Sequence, residues 1–150
     1  MPTDVDAFLA YGYDLGGPGR WNLRGVDGDL EPRFYWWDGD DEDSDGFCEA
    51  VSAELRHARR TNADADVAGV EVIWYGSDTR HGVGIGYILA ATYYHSYYSS
   101  ALPLAAFPNY AIEGGREGDW AQRLGRALHI LGIQPQQLSP RWLLAASHGI

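Results

Sequence analysis

Apolar and polar positions alternate with two different periods along this chain. Ala7 to Tyr13 (AFLAYGY) is apolar at nearly every position, the pattern of a strand buried on both faces, and predicts a central strand. Asp14-Leu15-Gly16-Gly17-Pro18-Gly19 follows as a turn cluster. Arg20–Val26 and Glu31–Trp37 flank Asp27-Gly28, a favoured hairpin dipeptide, and Pro32 places the second arm at an edge. Gly69–Tyr75 and Arg141–Ser147 read as further strands. Val83–Tyr98 reads as a long one, with Val83, Ile85, Tyr87, Leu89, Ala91 and Tyr93 on one apolar face.

The period becomes helical twice. Phe47, Val51, Leu55 and Ala58 form one stripe over Phe47–Arg60. Asp43, Ser44 and Asp45 precede it, where side-chain oxygens cap free amides and anions meet the positive dipole end. Trp120, Leu124, Ala127, Leu128 and Leu131 form a second stripe over Asp119–Leu131. Asp119 with Gln122 reads as its capping box, Gly132 as its stop, and Pro135 as a bar to resumption. The order β-β-β-α-β-β-α-β predicts one α+β domain over residues 1–150. Its architecture is a two-layer sandwich, a mainly antiparallel mixed sheet with two helices on one face.

Composition narrows the function classes. The 150 residues are 45% hydrophobic and 13% aromatic, enough to bury a core. The net charge is −10, and all 11 basic residues are Arg. That balance opposes non-specific nucleic-acid binding, which needs a basic face to displace counterions, and it suits a basic protein partner. Codon bias in a high-GC bacterial or phage gene would explain the absence of Lys beside abundant Arg and Gly. Cys48 is alone, so there is no internal disulfide, and a reducing compartment is expected. The first residues carry no basic leader, and no apolar run approaches the ~20 residues that span a bilayer. A cytoplasmic protein without membrane contact is the expectation.

Candidate chemistry concentrates in Asp38-Gly39-Asp40-Asp41-Glu42-Asp43-Ser44-Asp45-Gly46, which holds six of the 21 acids. Asp41, Asp43, Asp45 and Gly46 resemble the first half of an EF-hand-type calcium loop, whose alternating carboxylates converge on a hard cation such as Ca²⁺ or Mg²⁺. Ser52 stands where that loop carries its bidentate Glu. The other reading of the run is an acidic turn that caps a helix.

Asp14-Leu15-Gly16-Gly17 after a strand resembles the opening of the sugar-kinase and actin-like ATPases, which implies a phosphate-wrapping hairpin. Pro18 replaces the usual Thr or Ser, and the chain is too short for two lobes. Element order and acid placement are also similar to RNase H-like and RuvC-like nucleases. That similarity implies a divalent-metal phosphodiesterase using Asp14, Asp78 and Glu49 or Glu54.

Phe34-Tyr35-Trp36-Trp37 and Tyr93-Tyr94-His95-Ser96-Tyr97-Tyr98 send rings to both sides of their strands. One side fills the core. The other meets a partner, or lines a cleft for a glycan or small molecule. The residues favour a non-enzymatic, protein-binding accessory or inhibitor-type domain without a required cofactor. Its binding surface comprises Trp36, Trp37, Asp38, Asp40, Asp41, Asp43 and Asp45. The long aromatic strand also suits a homodimer.

Overall fold

In a computed structural model, residues 5–16, 22–23, 36–37, 44–62, 64–76, 85–96 and 114–148 are described. Their elements, in chain order, are β1 (Val5–Gly16), β2 (Asn22–Leu23), α1 (Ser44–Thr61), β3 (Glu71–Gly76), β4 (Ile85–Ser96), α2 (Gly114–Leu131), β5 (Ile133–Gln134) and β6 (Arg141–His148). The α+β class and the sheet-plus-two-helices plan follow the sequence pattern.

Four strands form the main sheet in the order β3-β4-β1-β6, every neighbouring pair antiparallel. The sheet curls until its edges meet. A single parallel bridge, Gly76 to Ser147, joins β3 to β6 and closes a four-stranded barrel.

The curl follows from the sizes of the side chains on the two faces. One face carries Tyr11, Tyr13, Val72, Tyr87 and Leu89, all in the main core. The other carries Ala10 and Ala90, with Ala145, Ile73, Ile88 and Leu143 around them, and Gly12 and Gly86 share its register. Bulky residues on one side and small ones on the other bend a twisted sheet toward the small side. Both helices therefore cover the convex face, through Phe47, Val51 and Leu55 of α1 and Leu124, Ala127, Leu128 and Leu131 of α2. These are the stripes that the helical period marks.

Three details depart from the sequence pattern. First, β4 changes face part-way. Tyr11 pairs with Thr92 but Gly12 with Ala90, so Ala91 is an extra residue, a β-bulge. Beyond it the parity reverses. Tyr93 shares a face with Ala10, while Tyr94 stacks on Trp142 over the convex face, with ring centroids 6.4 Å apart. Second, α2 begins at Gly114, so Asp119 lies inside the helix and is not its N-cap. Gly114, Gly115 and Gly118 are weak helix formers and hid the first turn. Third, Asn22 and Leu23 pair with Gln134 and Ile133, while the rest of the expected hairpin, apart from Trp36 and Trp37, lies outside the described residues.

The end of α2 is as expected. Gly132 has φ 72°, its N–H donates to the His129 carbonyl at 3.3 Å, and Ile133 is buried behind it. Along the aromatic strand β4, Ile85–Ala90 pair with β3 and Tyr87–Ser96 with β1. Among the described residues, no helix is long and apolar enough to cross a membrane.

Candidate functional site

Phe47 organises the surroundings of the acidic run. It sits in the first turns of α1, 1% exposed, with its ring against Tyr87 of β4 at 4.4 Å between centroids. Trp36 and Trp37 close over the same ring, at 5.7 Å and 5.8 Å, the second edge-on. The Trp36 indole N–H donates to the Leu131 carbonyl at 3.0 Å, at the C-terminal end of α2. A buried indole needs such a partner, and here a helix-end carbonyl supplies it. Both tryptophans are half-buried, so they are seated in the core more than displayed. The chain thus departs from this ring at Trp37 and returns to it within α1.

Of the acids between, Asp38, Asp40, Asp41 and Asp43 lie outside the described residues, as does Asp78. Asp45 is exposed in the first turn of α1, where it complements the helix dipole. Gly46 is in the same turn and is not among the glycines of positive φ. Asp45 and Gly46 are therefore helical, and do not form the sharp turn of a calcium loop.

A second constellation lies at the end of β1, on the concave side. Asp14 is exposed, and its Oδ1 accepts from the Tyr75 hydroxyl at 2.8 Å and from the Gly16 N–H at 2.9 Å. Tyr75 belongs to β3, two strands away. It reaches Asp14 because Gly86, its cross-strand neighbour on β4, has no side chain; a Cβ there would strike the Tyr75 ring. Gln137 holds the backbone at this point. Its Oε1 accepts from the Asp14 N–H at 2.9 Å, and its Nε2 donates to the Gly12 and Ser139 carbonyls at 2.9 Å and 2.6 Å. The β1–β6 ladder stops at Gly12–Arg141, and the Gln137 amide stands in for the next strand residue. Beside the pair is a hollow of about 270 Å³ whose walls include Ile88, Leu143, Ala145 and Ala146.

Among the described residues, the nuclease-type acids Asp14, Glu49 and Glu54 are not brought together. Asp14 is on the concave side with Tyr75 and Ile88. Glu49 is exposed on α1, which covers the convex side, and Glu54 is on the same helix. Among the described residues, no three His, Cys, Asp or Glu side chains gather to hold a metal. Leu15 and Gly16 of the Asp14-Leu15-Gly16-Gly17 motif are buried, Leu15 in the main core. Of the second aromatic run, Tyr93 is 40% exposed and His95 stacks on Phe8 at 4.4 Å.

The Cys48 thiol is held in its protonated form. Burial first, and the Asp45 carboxylate second, push its thiol up to about 12. A free thiol titrates near ~8.5. The folded group stays protonated above that value, so its contribution to stability is complete below ~8.5 and is lost as pH rises toward ~12. Alkylation by iodoacetamide at pH 8 should be slower than that of free cysteine by on the order of a hundredfold or more. A rate near that of free cysteine would mean an open, ionised thiol.

Comparison with family models, with curated proteins and with solved structures gives no match. The reading of function accordingly rests on geometry.

Proposed function

We propose that the chain is a non-enzymatic binding domain that presents the acids of residues 38–45 to a basic, arginine- or lysine-rich protein partner. The supporting observation is that both flanks of the acidic run are seated on one buried ring, Phe47. A charged segment tied down at both ends loses less conformational freedom on binding than a free tail. Concentrated negative charge also steers a cationic partner and speeds its encounter. In this reading Trp36 and Trp37 hold the segment in place, and the carboxylates make the contact.

The test separates location from bulk charge. One variant neutralises Asp40, Asp41 and Asp43 to Asn. A control neutralises the exposed Asp64, Glu71 and Asp119 to the matching amides, and so removes the same charge. Calorimetric titration with an arginine-rich peptide should show about a tenfold loss for the first variant and about twofold or less for the control. Equal losses in the two would leave only the net charge at work, and the reading would be withdrawn.

A further inference from the structure

We infer that the hollow beside Asp14 and Tyr75 is a binding site for a small organic monocation, a primary ammonium on a short branched aliphatic body. Three observations carry this.

The hollow is a half-open one on the concave side of the sheet, and its volume of about 270 Å³ suits a molecule smaller than a nucleotide or a sugar chain. Beside Asp14 and Tyr75 its lining side chains are aliphatic, from Ile88, Leu143, Leu144, Ala145 and Ala146, so polar and apolar groups share the surface and an amphiphilic molecule fits it better than a glycan. Among the described residues, Asp14 is the one carboxylate in its lining, and both hydrogen bonds to it fall on Oδ1. Oδ2 remains to accept from a ligand, since a carboxylate takes about four hydrogen bonds.

An anion is repelled there, and a neutral alcohol lacks the charge that strengthens the bond to a carboxylate. An ammonium supplies both donors and charge. The carboxylate is also held in advance. The Tyr75 hydroxyl and the Gly16 amide fix its side chain, Gln137 fixes its backbone, and less freedom is lost when the ligand arrives. The hollow opens on the concave side, away from α1, which covers the convex one.

The probe is isopentylammonium chloride, with isopentanol and isovalerate as the neutral and anionic counterparts, in an amide-resolved NMR titration. Saturable shifts at Asp14–Gly16, Tyr75 and Leu143–Ala146 are expected with the ammonium alone. Asp14→Asn keeps an Oδ1 acceptor for Tyr75 and Gly16 but loses the charge, and should bind the ammonium about tenfold more weakly. Equal binding of the alcohol, shifts confined to Asp45–Cys48, or an unchanged affinity in Asp14→Asn would each overturn the site. If that variant fails to fold, the comparison of the three probes on the native chain decides alone.

Discussion

Phe47→Ala is expected to destabilise the fold by about 4 kcal/mol. The side chain is 1% exposed, and three rings lose their common neighbour when it goes: Trp36, Trp37 and Tyr87. Removing a buried phenyl group forfeits its transfer free energy and leaves a cavity that rigid indoles fill poorly. Urea denaturation followed by circular dichroism measures the loss. Tryptophan emission should shift to the red before the main transition, because Trp36 and Trp37 loosen first. A loss of about 1 kcal/mol or less would mean that the rings close over the gap, and that Phe47 is not what seats the acidic run.

Gly12→Ala should cost about 2–3 kcal/mol, although strand propensity argues the opposite sign. In the interior of a strand, exchanging Gly for Ala ordinarily helps by roughly 0.5–1 kcal/mol. Here a Cβ on residue 12 would meet the backbone carbonyl of Leu89, which cannot swing aside as a side chain would. Residue 12 is also paired on both sides, with Ala90 and with Arg141, so β1 has no room to retreat. Gly125→Ala is the matched control. That residue is exposed in the middle of α2, with nothing within 4 Å of a new Cβ, and helix propensity predicts a gain of about 1 kcal/mol. Melting temperatures of the two variants should move in opposite directions. If Gly12→Ala melts higher than the parent, the close approach of β1 to β4 is wrong.

The elements were legible in the sequence because their periods are strong. The α1 stripe of Phe47, Val51 and Leu55 and the α2 stripe of Leu124, Ala127, Leu128 and Leu131 are those that the structure buries. What local pattern cannot supply is register. The bulge at Ala91 sends Tyr93 and Tyr94 to faces opposite those a simple alternation gives them, and no residue type marks that position. Tyr75 meets Asp14 across 61 residues, and Gln137 meets the Asp14 amide across 123, so neither contact is visible along the chain. Gly86 opposite Tyr75 becomes a signal only once β3 and β4 are paired. The spacing of Asp14 and Glu49 along the chain suggested a metal pair; the sheet lies between them. The aromatic run before the acids was legible as a feature, but its role was not. Trp36 is fixed by a hydrogen bond to Leu131, 95 residues away, which makes it an anchor.

The most direct test of the binding role is to map where an arginine-rich peptide lands on the native chain by amide- and indole-resolved NMR at low salt. The account predicts that the indole signals of Trp36 and Trp37 and the amides of Ser44–Cys48 shift together, and that the shifts fade as salt is raised. Shifts concentrated instead on α2, or at the Asp14–Tyr75 corner, with those signals unmoved, would contradict it.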